Sequence, residues 1–232
     1  MGAEFDYSSY LLYDPDGKIK QIDYIQKTTE LGNISIALGN KNVGVLIAHS
    51  PKRSKLAEKQ QKVFEINSNA LFTFSGITND GLSIVRYLKS CSVFEDVIKD
   101  RSLHHLNSFD SLCTDAALRT LTGSNRIYGV TGIFMIDFEG IKIVEFDPSG
   151  YVRQTIGSCI GNSSQSCKTI LEDEYTKIGS ADEQELVALG LKSLRNSFLD
   201  PEENPLNNED ISIYVIETGK GIKIVDPGFY EF

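Results

Sequence analysis

Apolar and polar residues alternate in two stretches near the start of the chain, which is the pattern of strands that bury one face. Residues 34–38 alternate, and after a turn rich in Gly and Asn a continuous apolar run follows at 43–48. The arrangement recurs at residues 63–66 and 71–75, on either side of the Asn-Ser-Asn turn at 67–69. Because short polar turns join antiparallel strands, this part of the chain is predicted to form two β-hairpins.

Helical periodicity marks five further segments, in which apolar residues recur every three or four positions. They begin near Ile19, Thr78 or Asn79, Ser108, Ser163 and Asp182. In the last segment Glu185 stands three residues after Asp182, which resembles a capping box and predicts the helix start. Ser163 is predicted to cap the preceding helix, because a serine hydroxyl accepts hydrogen bonds from the first helical turn.

Strands are also predicted at residues 130–137, 141–146, 151–159, 211–216 and 221–225. Strands and helices therefore come in separate blocks, and strands joined by hairpins form antiparallel sheets. Two such sheets packed face to face leave two outer faces, which the two later helical pairs can cover. The sequence predicts a single α+β domain over residues 1–232, a four-layer αββα sandwich of two antiparallel sheets.

Composition and charge narrow the class of function. The chain has 232 residues, of which 41% are hydrophobic and 24% charged, as is typical of a soluble protein with a substantial core. A net charge of -9 is the wrong sign for a nucleic-acid binder, and no apolar run is long enough for a membrane span. The four cysteines are widely spaced and form no zinc motif, so we expect no metal, no cofactor and a reducing compartment.

The residues alone offer no convincing catalytic group. His49 lies beside a serine but ends an apolar strand, and the adjacent His104 and His105 are expected to point apart, so no histidine-based triad is predicted. The glycine-containing turn at 161–164 lacks the lysine and glycine spacing of a phosphate loop. Positive charge is concentrated at residues 52–62, which predicts a surface that receives a carboxylate or an acidic partner.

Residues 13–24, Tyr-Asp-Pro-Asp-Gly-Lys-Ile-Lys-Gln-Ile-Asp-Tyr, resemble the N-terminal signature of proteasome α subunits, Ser-Pro-x-Gly-Arg-Leu-x-Gln-Val-Glu-Tyr before a helix. Further matches in register lie at residues 44–48, 62–63, 75–77, 128–130, 147–151 and 160–161. The resemblance covers nearly the whole chain, with Lys18 in place of the usual Arg and Ile127 where Pro is frequent. It implies the N-terminal-nucleophile hydrolase fold, which agrees with the four layers predicted above.

The resemblance also implies that the chain is not an enzyme. Active relatives use an N-terminal Thr, freed after a Gly, whose amine and hydroxyl act with a nearby lysine. The matching junction here is Gly32-Asn33, which supplies no hydroxyl nucleophile, and His49 stands where active relatives carry an acidic residue. Of this catalytic set only Lys62 matches, so no catalytic residue is assigned.

Two residues acquire a different expected role from the resemblance. In α subunits the lysine matching Lys62 and the glycine matching Gly76 line a pocket between neighbours, where the C-terminal carboxylate of an activator docks. A lysine ammonium suits that charge. The implied organisation is a gate tail at residues 1–16, an N-terminal helix at 17–31 and the sandwich at 33–232.

The tail resembles the gate that α rings close over their entry pore. In the family a Tyr-Asp pair, a Pro and a Tyr form a cluster there. Pro15 and Tyr24 match in register, and Asp6 with Phe5 represents the Tyr-Asp pair, offset by about one position. Phe5 takes the place of the first Tyr and lacks its hydroxyl hydrogen bond, which weakens this part of the match.

The expected function is that of a non-catalytic α-ring subunit of the 20S proteasome core, a scaffold for pore gating and activator docking in ubiquitin-dependent protein degradation. The expected partners are neighbouring α subunits, β-ring subunits, and the regulatory particle or other activators through their C-terminal tails. The expected location is the cytoplasm and nucleus, with no nucleic-acid or membrane partner. Two alternatives are an active threonine peptidase of the β type, which Asn33 argues against, and a free-standing binding module, which would remain monomeric.

Overall fold

The computed structural model describes residues 13–52, 54–122, 125–198 and 206–229. The strands in these ranges are β1 (Ser35–Gly39), β2 (Val43–His49), β3 (Val63–Asn67), β4 (Ala70–Gly76), β5 (Val130–Asp137), β6 (Ile141–Phe146), β7 (Val152–Thr155), β8 (Gly157–Ile160), β9 (Ile211–Glu217) and β10 (Gly221–Val225). The helices are α1 (Lys20–Thr29), α2 (Thr78–Val93), α3 (Asp110–Thr122), α4 (Ser164–Asp173), α5 (Tyr175–Ile178) and α6 (Glu183–Asn196). A π-helical turn, Phe94–Ile98, continues α2.

The strands form two antiparallel sheets of five strands each. The first has the order β10-β9-β2-β1-β8, and the second has the order β3-β4-β5-β6-β7. Both predicted hairpins are present, β1 with β2 in the first sheet and β3 with β4 in the second. The fold class predicted from the sequence is confirmed.

The first hairpin shows how the local sequence sets its turn. The side-chain oxygen of Asn40 accepts hydrogen bonds from the backbone N–H groups of Asn42 and Val43, at 3.0 and 3.1 Å. Its amide nitrogen donates to the carbonyl oxygens of Ile178 and Ala181, at 3.2 and 2.8 Å. One asparagine therefore closes the hairpin and ties it to the α5–α6 connection.

Three apolar clusters define the four layers. Ile36 and Val45 of the first sheet pack with Leu186 and other residues of α4 and α6. Residues such as Leu46 and Ile133 fill the space between the two sheets. The outer face of the second sheet packs against α2 and α3, through a set that includes Phe72, Phe74, Ile84, Leu88, Phe109, Leu112, Phe134 and Phe146. Each sheet thus buries both faces, as an αββα sandwich requires.

The prediction of one strand over residues 151–159 was wrong. The segment divides at Ile156: β7 pairs with β6 in the second sheet, and β8 pairs with β1 in the first. The hydroxyl of Thr155 donates to the carbonyl oxygen of Gly157 at 2.6 Å and closes a tight turn between them. The chain crosses between the sheets within a single residue, too short a break to interrupt the strand pattern.

One of three predicted helix starts has the predicted side-chain cap, and the other two do not. Asp182 and Glu185 form the predicted capping box, with the Asp182 carboxylate accepting from Glu185 N at 2.8 Å and the Glu185 carboxylate from Asp182 N at 3.0 Å. Ser163 makes no side-chain capping bond, because it adopts the left-handed conformation with φ 56°. The N-cap position of α2 is occupied by Ile77 rather than by Thr78 or Asn79. Its side chain makes no capping hydrogen bond.

Candidate functional site

Helix α1 packs against β4 and β5, beside the start of β1. The Ser75 hydroxyl donates to the carbonyl oxygen of Thr29 at 2.6 Å, which fixes the last turn of the helix. The backbone of Gly32 is equally confined, since a Cβ there would lie 2.1 Å from Ser75 Oγ, and its carbonyl accepts from Asn162 N at 2.8 Å. The peptide leading into Asn33 is therefore held from both sides.

This junction decides the chemistry at the position where active relatives carry their nucleophile. Asn33 presents a carboxamide rather than a hydroxyl. The nucleophile of an N-terminal threonine mechanism is therefore missing at this point.

His49 ends β2, and its backbone N–H donates to Ile34 O at 3.0 Å. Its ring meets the ring of Phe198 edge to face, with centroids 5.1 Å apart. Burial lowers the pKa of His49, Lys59 and Lys62 lower it further, and Asp210 opposes them. The imidazole is therefore held in its neutral form near neutral pH, and it provides no carboxylate beside Lys62.

The structure brings Lys62 and Gly76 to the same end of the second sheet. Lys62 immediately precedes β3. Because Val63 pairs with Thr73 in an antiparallel register, Lys62 lies opposite Phe74, near the end of β4. Its ammonium nitrogen lies 3.5 Å from Phe74 O, two residues before Gly76. The Thr73 hydroxyl lies 2.9 Å from Lys62 O and anchors the start of β3. This arrangement places a positive charge beside the half-buried backbone at the end of β4.

Gly76 is required at its position for two independent reasons. Its φ is +117°, a conformation that residues with a Cβ rarely adopt. A Cβ on Gly76 would also lie 2.1 Å from the carbonyl oxygen of Gly129. The backbone of the turn from β4 into α2 is therefore in direct contact with the segment that precedes β5.

An ion pair that the sequence did not reveal holds this turn in place. Asp80 of α2 is buried, and its two oxygens accept from Arg126 Nη1 and Nη2 at 2.6 and 2.7 Å. The same carboxylate accepts from Gly129 N at 2.9 Å. Bonds from Arg126 and Gly129 leave the pKa of Asp80 below its ordinary value, although burial, the largest single influence, raises it. An acidic residue in a first helical turn is usual for dipole reasons, so its sequence context gave no sign of a distant partner.

The basic segment at residues 52–62 does not act as one surface. Lys59 points into the fold, where its ammonium donates to Glu209 O and to Ser212 Oγ, both at 3.0 Å. Burial lowers the pKa of Lys59, with Asp210 opposing the effect. Lys52 and Lys55 are exposed. Only part of the predicted positive segment therefore faces solvent, because one lysine tethers the loop before β9.

The described part of the predicted gate is a tight turn. The Asp14 carboxylate accepts from Asp16 N at 3.1 Å and from Lys18 N at 2.8 Å, and Pro15 is exposed at its corner. Tyr24 lies on α1 with nearly half of its side chain exposed. Phe5 and Asp6 lie outside the described residues, so the gate cluster stays a prediction.

The histidine pair was expected to point apart, and this was wrong. The rings of His104 and His105 stack with centroids 4.5 Å apart, and both contact Phe138. His104 Nδ1 accepts from the N–H groups of Leu106 and Asn107 at 3.1 and 3.2 Å. His104 caps the following turn, and both rings pack on an aromatic ring, which is a structural role.

The described residues contain neither a membrane-spanning helix nor a metal site. None of their helices has both the length and the apolar character that crossing a bilayer requires. No group of three or more His, Cys, Asp or Glu side chains in these ranges is arranged to hold a metal ion.

The architecture and the Gly32-Asn33 junction together define the N-terminal-nucleophile fold class. Residues 29–216 match the family model described as "Proteasome subunit". The chain belongs to the proteasome subunit family.

Curated relatives resemble this chain along most of its length. It is 27% identical over 226 residues to "Proteasome subunit alpha type-1" of Dictyostelium discoideum, covering 94% of this chain and 88% of that protein. It is 27% identical over 220 residues to "Proteasome subunit alpha type-6" of Saccharomyces cerevisiae, covering 92% of each. It is 26% identical over 206 residues to "Probable proteasome subunit alpha type-6" of Schizosaccharomyces pombe, covering 88% and 75%.

Proposed function

We propose that the chain is a non-catalytic α-ring subunit of the 20S proteasome core. The observation that carries this proposal is Asn33 itself, whose carboxamide stands where active relatives carry the threonine hydroxyl, directly after a tightly confined Gly32. The relatives named as α type-1 and type-6 subunits support it. Residues 111–113, 144–150 and 160–169 also resemble the α type-1 subunit.

An exposed apolar surface supports a place within an assembly. Val93 ends α2, and Phe94, Val97 and Ile98 lie in the π-helical turn that continues it; half or more of each side chain is exposed. With Lys89 they line a groove of about 430 Å³. Contiguous apolar surface of this kind is typical of a protein interface. We assign this apolar end of α2 to a contact with another subunit of the core, drawn from the neighbouring α subunits or the β ring.

The function of the ring subunit follows from its position. It contributes to the scaffold and to the gate over the entry pore, and its pocket receives the C-terminal tails of the regulatory particle or of other activators in ubiquitin-dependent degradation. Lys62 supplies the positive charge and Gly76 the close backbone in that pocket. A location in the cytoplasm and nucleus belongs to the proposal, and its four unpaired cysteines suit a reducing compartment.

Replacing Lys62 by alanine is expected to weaken activator docking at this pocket by about tenfold or more, because a charge-assisted hydrogen bond to the tail carboxylate is lost. Assembly of the core should be unaffected. The measurement is photo-crosslinking of activator tail peptides to this chain within purified core particles. The exposed Lys55→Ala is the matched control from the same basic segment, and equal capture by both variants would defeat the pocket assignment.

A further inference from the structure

The ion pair between Asp80 and Arg126 lies directly behind Gly76. Arg126 donates two hydrogen bonds to the Asp80 carboxylate, and Gly129 N donates a third at 2.9 Å. Gly129 O in turn accepts from Ile77 N at 2.8 Å. The backbone of Gly129 is therefore fixed at both its donor and its acceptor, by α2 on one side and by the residue after Gly76 on the other.

This fixed segment leaves Gly76 almost no freedom. Gly76 pairs with Val130 in the β4–β5 ladder, and its Cα faces Gly129 O so closely that no side chain fits between them. A shift of the 126–129 segment would therefore move the turn at Gly76 with it. Because Lys62 contacts the same end of β4, such a shift would change the spacing between the ammonium and this turn.

Side chains of helix α3 also hold residues 126–129. Arg119 donates to Arg126 O at 3.0 Å and to the Asp115 carboxylate at 2.8 Å. The Tyr128 hydroxyl donates to the same carboxylate at 2.6 Å, and the Arg119 guanidinium lies 4.4 Å from the centre of the Tyr128 ring. Residues 126–129 are thus braced between α2 and α3.

We propose that the Asp80–Arg126 ion pair is a positioning element of the carboxylate pocket, which sets the Gly76 turn against Lys62 so that a peptide tail with a free C-terminal carboxylate is accepted. The inference rests on the proposed function of Lys62 and Gly76. Asp80 and Arg126 act through the backbone of Gly129 and Ile77, and neither is assigned a contact with the tail.

The control is a second arginine–carboxylate pair, which is similarly exposed but has one hydrogen bond from the arginine rather than two. Arg153 donates to Glu145 at 2.7 Å, and the side chains are 52% and 11% exposed, against 60% and 10% for Arg126 and Asp80. Arg153 lies on β7, the strand of the second sheet farthest from β3. Removing Arg153 should cost little stability and should not move the Gly76 turn, because Glu145 keeps its hydrogen bond from Ser158 and its ion pair with Lys168.

The test uses core particles purified from cells that carry Arg126→Gln, Arg126→Lys, Arg153→Gln or Lys62→Ala in this chain. The probes are photo-crosslinkable peptides copied from the C-termini of the regulatory particle, each as the free acid and as the C-terminal amide. Capture on this chain reports its own pocket. We expect Arg126→Gln to weaken capture of the free acid about tenfold, and Arg126→Lys, which keeps the charge but loses one bond, about threefold. Arg153→Gln should stay within about twofold of the unmodified chain.

The outcomes separate the inference from the function on which it rests. If Lys62→Ala loses capture while both Arg126 variants behave like Arg153→Gln, the positioning role is wrong and the pocket stands. If the unmodified chain captures no free acid, or captures the amide equally well, both are wrong. If Arg126→Gln is not incorporated into particles, Arg126→Lys decides, and capture equal to that of Arg153→Gln overturns the inference.

Discussion

Replacing Gly76 by alanine is expected to destabilise the chain by roughly 3–5 kcal/mol. Alanine would have to adopt a φ near +117°, and its methyl group would overlap a backbone carbonyl that lies 2.1 Å from the Cβ position. The carbonyl of Gly129 is restrained by the hydrogen bond from Ile77 N, and the N–H of the same residue is held by the Asp80 carboxylate, so the two peptide groups around Gly129 are both fixed. The measurement is the free energy of unfolding from urea denaturation.

Gly219 provides a matched control for the strain alone. Its φ is +75°, and no atom lies within 4 Å of the position that a Cβ would take. Gly219→Ala should therefore cost only about 1–2 kcal/mol, the conformational part of the penalty. If the two variants lost the same stability, the close contact between Gly76 and Gly129 would not be a real constraint.

Replacing Val97 by glutamate is expected to reduce incorporation of the chain into core particles by more than about a hundredfold. Val97 is 70% exposed in the isolated chain, so the fold should tolerate the change. At the proposed interface, however, the substitution removes buried apolar area and leaves a carboxylate without a partner, each of which costs on the order of 2 kcal/mol. The measurement is the share of tagged variant that co-purifies with the core when unmodified chain competes for the same position.

Val97→Thr is the control for this experiment, because it keeps the branched shape and adds no charge. It should be incorporated within about tenfold of the unmodified chain. Equal incorporation of the glutamate and threonine variants would show that the apolar end of α2 faces solvent in the particle, and the interface assignment would fail.

Local pattern was sufficient for most of the architecture. The hairpins β1–β2 and β3–β4 were predictable because alternation and turn residues lie close together in the chain. The capping box at Asp182 was predictable for the same reason, since both partners lie within one helical turn. The layer order then followed from the need to cover two outward sheet faces.

The features that escaped prediction depend on tertiary contacts. The crossing at Ile156 is visible only when β7 and β8 are seen to pair with strands of different sheets. The inward direction of Lys59 depends on acceptors more than 140 residues away in the sequence, and Asp80 meets Arg126 across 46 positions. Polar partners at such separations leave no periodic signal in a single sequence.

The candidate site likewise has features that the sequence alone could predict and features that depend on tertiary contacts. That Asn33 lacks a nucleophilic hydroxyl was evident once its position had been matched to the family junction. The proximity of Lys62 to the end of β4 needed the strand register, because twelve residues that include a turn separate Lys62 from Ser75. The ion pair behind Gly76 needed the full fold.

The central claim, a non-catalytic subunit within a ring assembly, is tested most directly by native mass spectrometry of the endogenously tagged protein with ejection of individual subunits. The expected result is a multi-subunit particle of several hundred kilodaltons that releases this chain with residues 1–32 still attached. A monomer would contradict membership of a ring, and a released chain that begins at Asn33 would contradict the assignment of an uncleaved, non-catalytic junction.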